Sequence, residues 1–338
     1  MGKYDMCMKT YLQDKRRFAD LFNGSCFQGR QVIRAEDLEE ASENYMAVEE
    51  KQPGKPLQKG TEIIRDVKMR YRSGMILQVL AVENQSYIDY GMPVRCMGYD
   101  AAEYSRQLKE RKQERRLLVR HKEEPEKELK TTIDEKLSGI LRSDRLHPVY
   151  TICLYSGEEP WDGPRKLSDM MEFDPEESVR SLFKDYPLTL FCINEQNGFD
   201  TFRSGLKQLF CAMNCRKDKE KMSELMKNEA YSHLSKETWE AIAVMTDNAA
   251  MLQKKDKYKT ENGEEEEYNM CQALEELMED NRNEGRNEGR SEGRNEGTLE
   301  KTKIVVRNLL RMGFSVDDIC KAAECAPALV KEIQDSLV

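Results

Sequence analysis

Residues 61–104 read TEIIRDVKMRYRSGMILQVLAVENQSYIDYGMPVRCMGYDAAEY. Thr61 to Tyr71 is rich in Ile, Val, Met and Tyr, Arg72-Ser73-Gly74 is a turn, and Met75 to Gln85 is a second arm. The core of that arm, MILQVLAV, is almost continuously apolar, as a strand covered on both faces is. The stretch therefore predicts a β-hairpin followed by a loop and a helix. The apolar run stops abruptly at Glu83-Asn84-Gln85.

Register decides what the hairpin can do. A two-residue loop pairs Arg72 with Met75, a four-residue loop pairs Tyr71 with Ile76, and both set Asp66 opposite Ala81. Side chains alternate faces along a strand, so Asp66 then shares a face with Glu83 and Gln85, with Glu83 on the diagonal about 7 Å away. A three-residue loop reverses the parity and separates the two acids. Two carboxylates and an amide at the end of a buried strand suit Mg2+ or Mn2+, which bind through one or two carboxylates plus substrate phosphate.

An Asp followed by Glu-x-Gln on the next strand resembles the PD-(D/E)XK nuclease superfamily. RDV before the hairpin, ENQSYIDYGMPVR after it and YDAAEY next are similar to the Rpn family of recombination-promoting nucleases, also called PD-(D/E)XK family transposases. PVYTICLYSGEEPWDGPRKLSDM (148–170), FRSGLKQLF (202–210), RKDKEKM (216–222) and the EGR-repeat tail fit the same pattern. The resemblance spans nearly the whole chain, and its specific part is ENQS-x-x-DY-x-MP-x-R. It implies a metal-dependent DNA endonuclease that promotes recombination or transposition, with Asp66 and Glu83 holding the metal. The superfamily's usual Lys is Gln85 here, as in other members of the family. An amide exchanges no proton, so Gln85 is left to orient water or phosphate. Lys68, on the predicted face of Asp66, is either a substitute for that Lys, close to DNA, or a solvated strand-end charge. The superfamily often draws a further acid from its first helix, where Asp14 and Asp20 stand.

Composition narrows the class. The chain has 338 residues, 35% of them charged, and a net charge of -9, with a mean hydropathy of -0.79. That is ample for a core plus exposed helices and linkers. An acidic balance leaves DNA contact to a local basic patch or to a metal. The ten Cys and three His form no zinc pattern, which predicts reduced thiols packed as small core residues in a cytoplasm. The N-terminus carries no signal-peptide core, and no apolar run reaches the roughly 20 residues that span a bilayer, so no membrane contact is expected.

In chain order, residues 5–23 predict a helix stopped by Asn23-Gly24, and KQPGKPLQKG (51–60) a Lys-bearing loop. Arg95 either holds a DNA phosphate or makes a salt bridge that fixes the helix after it. From Arg106 to Lys122 eight Lys/Arg meet Glu110 and Glu114, either tracking a DNA backbone or forming a solvated face. Val149–Tyr155 and 187–194 read as strands, 199–215 as a helix, and Trp161 as a packing anchor. The repeat NEGRNEGRSEGRNEGT (283–298) places like charges four apart and a Gly every fourth residue, which predicts a linker. Residues 298–338 read as a helical unit, with Ser315 capping one helix and Pro327 opening the last.

The expected architecture is thus α/β. A restriction-endonuclease-like core with a mixed sheet (1–215) precedes a helical extension (216–280), an EGR linker (281–298) and a helix-turn-helix-like module (299–338). The expected partners are DNA, Mg2+ or Mn2+, and a second copy of the chain through the C-terminal module. The alternative is a catalytically inactive nuclease fold serving as a protein-interaction module.

Overall fold

The computed structural model describes residues 3–41, 67–72, 74–82, 88–120, 132–173, 177–260 and 266–336. They form two compact units, Met1–Cys271 and Gln272–Val338.

In the first unit the expected N-terminal helix is two helices, α1 (Lys3–Leu12) and α2 (Lys15–Phe27). Asp14 makes the break, accepting hydrogen bonds from the backbone N–H groups of Arg16 and Arg17 as the N-cap of α2. Asn23-Gly24 does not stop α2. The Asn23 side chain instead accepts from the N–H of Val32 and Ile33 and donates to the Ile33 carbonyl. Gly24 is needed because a Cβ there would lie 2.3 Å from the Phe202 ring.

A 3-10 turn leads into β1 (Leu38–Glu40). The hairpin follows as β2 (Val67–Tyr71) and β3 (Met75–Val82), then α3 (Met92–Arg120) and the short α4 (Ile133–Ser138). Next come β4 (Val149–Tyr155), α5 (Glu177–Arg180), β5 (Thr189–Cys192) and α6 (Leu206–Cys215). The strands make one mixed sheet in the order β1-β2-β3-β4-β5. The first three run antiparallel, while β3, β4 and β5 run parallel with α3 in the crossover.

Both faces of the sheet are covered. Cys153, Tyr155 and Cys192 point to the α3 side, packing with Met92, Cys96, Tyr99 and Trp161. Phe191, between Leu190 and Cys192, points the other way, onto Phe202 and Phe210. The architecture is α/β with a five-stranded mixed sheet between helical layers. Trp161 meets Tyr155 edge-on at 5.1 Å and is buried, which makes it the packing anchor expected.

Beyond α6 lie α7 (Lys219–Leu225) and α8 (Lys236–Met245), with α8 packed on α1 and α6. The expected helical extension also holds a small sheet of β6 (Leu234–Ser235), β7 (Lys259–Thr260) and β8 (Glu267–Tyr268), ordered β6-β8-β7.

The second unit corrects the linker reading. One helix, α9 (Met270–Arg311), runs through the whole EGR repeat. Nucleation is the costly step of helix formation, and the sequence on either side of the repeat is itself helical, so the repeat only has to propagate. After α9, Ser315 caps α10 (Val316–Ala322), and Pro327 opens α11 (Pro327–Asp335). Val306, Ile319, Val330 and Ile333 form the core of this unit. Among the described residues no helix is long and apolar enough to cross a membrane.

The glycines set up a contrast in sign. Gly24→Ala gains helix propensity of about 1 kcal/mol but drives a methyl into the Phe202 ring, so it is expected to lower stability by about 1–3 kcal/mol in urea unfolding. Gly289→Ala, with nothing within 4 Å of its added Cβ, is expected to raise helix content in circular dichroism. Equal effects at the two positions would contradict this packing.

Candidate functional site

The polar chemistry of the first unit concentrates where α3 crosses the sheet. Asp100, Glu103, Tyr104 and Gln107 stand at i, i+3, i+4 and i+7, one stripe of the helix. Each reaches a strand or its approach. Asp100 accepts from Thr151 Oγ1 at 2.6 Å and from Tyr186 Oη at 2.7 Å. The Tyr104 hydroxyl accepts from the Val149 N–H at 3.2 Å. Gln107 accepts from the His147 N–H and donates to its carbonyl, at 2.7 and 3.1 Å. Burial and then Asp100 push the Tyr186 hydroxyl far above its usual pKa, so it stays a donor.

Glu103 holds the strongest contact. Lys68 Nζ on β2 lies 3.1 Å from Glu103 Oε2, with side-chain exposures of 1% and 0%. Arg106, one turn on, also pairs with Glu103 and with Glu110. The reading of Lys68 as a solvated strand-end charge or a DNA contact is therefore corrected: it lies in the core, matched by a buried carboxylate. An unmatched charge there would cost several kcal/mol, which is why the pair occurs together. The sequence signal for this stripe is D-x-x-E-Y-x-x-Q (100–107), polar residues at a spacing reserved for apolar ones.

Asp66 and Glu83, expected to hold a metal, and Gln85, expected to orient water or phosphate, lie outside the described residues, as does the loop 51–60. The paired part of the hairpin still bears on them. Tyr71 pairs with Met75 and Val67 with Val79, so the loop is Arg72 to Gly74, three residues long. Arg72 takes φ 38° and Gly74 φ 99°, and a Cβ on Gly74 would strike the His147 ring at 2.6 Å. The expected loop of two or four residues is corrected, and with it the parity step that joined Asp66 to Glu83.

Arg95 makes a salt bridge to Asp89 at 2.6 Å and a hydrogen bond to the Tyr99 hydroxyl at 3.3 Å. Burial opposes its charge, but these partners outweigh burial and hold its pKa above the ordinary value. Asp89 also accepts from the Gly91 N–H at the start of α3. Of the two readings of Arg95, the structure contains the bridge that fixes the helix. Asp20, the first-helix candidate, is buried and accepts from the N–H groups of Arg203 and Ser204 and from Ser204 Oγ. It ties α2 to the approach to α6.

The basic stretch of α3 is partly neutralised as well. Arg111 pairs with Glu114, and Arg115 binds both Asp144 and the Gly139 carbonyl. A crevice of about 200 Å³ opens at the carboxyl ends of β4 and β5, where open α/β sheets tend to bind ligands. Its cations Arg216 and Lys217 are engaged by Glu158. Beside this crevice, burial pushes the Cys192 thiol up to about 12, which disfavours its thiolate. Among the described residues, no group of three or more His, Cys, Asp or Glu is placed to hold a metal. No family model, curated protein or solved structure matches the chain.

If Lys68 and Glu103 serve the fold, Glu103→Leu removes the buried carboxylate that faces both Lys68 and Arg106 and is expected to cost about 3–5 kcal/mol in denaturant unfolding. Lys68→Met/Glu103→Leu is expected to recover most of that loss. An undiminished stability in Glu103→Leu would show that the pair has no structural role.

Proposed function

We propose that this chain is a metal-dependent DNA endonuclease of the PD-(D/E)XK type, acting on phosphodiester bonds during DNA recombination or transposition. The observation that carries the reading is the order of elements: helix, three antiparallel strands, crossover helix, then a strand parallel to the third. The restriction-endonuclease-like reading expects a mixed sheet flanked by helices, with which this order is consistent, and in sequence RDV precedes β2 and ENQ follows β3 in the stretch that resembles the Rpn family.

In this reading Asp66 and Glu83 hold Mg2+ or Mn2+, for which their oxygen donors are chemically suited. A metal bound there supplies a water of lowered pKa and a polarised phosphate. Gln85 orients the attacking water or the phosphate by hydrogen bonding. Lys68 and Glu103 tie β2 to α3 two residues after Asp66 in the chain. Since the paired residues follow the three-residue-loop register, the two acids meet only if pairing shifts by one residue before Val67 or after Val82, as at a β-bulge.

That same register is what favours the second reading, a catalytically inactive nuclease fold acting as a protein-interaction module. The two separate in one assay with supercoiled plasmid and Mg2+ or Mn2+. The nuclease reading expects nicked or linear product from the native chain and background levels from Asp66→Ala and Glu83→Ala. Intact plasmid with every metal, or equal cleavage by all three proteins, favours the module.

A further inference from the structure

We propose that α9 pairs with α9 of a second copy of this chain, in parallel and in register, through its EGR repeat. The inference is independent of the nuclease reading.

In the repeat the helix presents a glycine row flanked by two charged rows, with an Asn/Ser row opposite the glycines. Gly285, Gly289, Gly293 and Gly297 recur every fourth residue, and nothing lies within 4 Å of a Cβ added to any of them. Successive residues turn by about 100° around a helix. Glu288, Glu292 and Glu296, each one residue before a Gly, therefore lie along one flank of the glycine row. Arg286, Arg290 and Arg294, each one residue after, lie along the other. All six are exposed. Glu and Arg two or six apart do not face one another on one helix, and like charges sit at i, i+4. Among the described residues no ion pair involves these six. The helix thus carries two unmatched charge rows, and its own sequence gives it no way to match them.

A second copy matches both. In a parallel symmetric pair, the flank before the seam on one helix faces the flank after the seam on the other. Each Glu row then meets the partner's Arg row, twice over by symmetry. In an antiparallel pair Glu meets Glu and Arg meets Arg. Self-complementarity thus selects both the occupant and the direction. The glycines allow the axes to come close enough for the rows to engage, and contact along rows four residues apart implies a right-handed crossing. Apolar residues also stand beyond each end of the repeat. Ile304, seven residues after Gly297, is 51% exposed, and Met278, seven before Gly285, is half-buried.

The test uses full-length protein in sedimentation equilibrium at low salt. The native chain is expected at twice 39.4 kDa, dissociating as salt rises. Arg286→Glu/Arg290→Glu/Arg294→Glu faces Glu against Glu and is expected to weaken self-association by about tenfold or more. Glu288→Arg/Glu292→Arg/Glu296→Arg is expected to do the same. Mixing the two variants is expected to restore a heterodimer, which variants that merely fail to fold would not do. A native chain that stays monomeric overturns the proposal. So do charge variants that still self-associate, or variants that do not associate when mixed.

Discussion

The buried pair between Lys68 of β2 and Glu103 of α3 is the constraint on which the first unit turns. Strands β2 and β3 are contiguous in the chain and need little help to find each other. The placement of α3 on that sheet is not local, and it is set by a row of polar contacts, from Asp100 to Gln107, that reach β2, β4 and the approaches to β4 and β5. An apolar interface tolerates sliding by a turn at modest cost. A carboxylate and an ammonium sealed from water do not, because a slip breaks their buried ion pair in a medium where charges are costly to separate. The sheet and its crossover helix are thereby locked in one register.

This explains what could be read in the residues and what could not. The VYTICLY run of β4 is a short β-rich segment closed by Ser-Gly, and it forms where expected. The Ser315 cap and the Pro327 start are chemical signals that need no tertiary context, and both occur. The hairpin arms were legible for the same reason, but their register was not. Loop length depends on Arg72 and Gly74 entering the left-handed region against His147, which lies far along the chain. The strands β6, β7 and β8 are two residues each, too short to show any alternation. The α3 stripe escaped because helix faces are read by their apolar residues, and this face is polar where it meets the sheet.

The EGR repeat teaches a related lesson. Propensity and pairing rules judge a segment as if it stood alone, and on that basis the repeat is a poor helix. In the chain it continues a helix already begun at Met270 and leads into the α9–α11 core. Its charge rows are then presented at fixed spacing, which a coil would not do. A repeat unsuited to lone helix formation is suited to a paired one.

For the nuclease account the central claim is that Asp66 and Glu83 grip one divalent ion together. Direct titration of the full-length protein with Mn2+, followed calorimetrically or by the ion's spin resonance, tests it without any choice of DNA. The account predicts one bound ion per chain, with affinity lost in Asp66→Ala and in Glu83→Ala alike. Binding that is absent, or that survives either substitution unchanged, contradicts it.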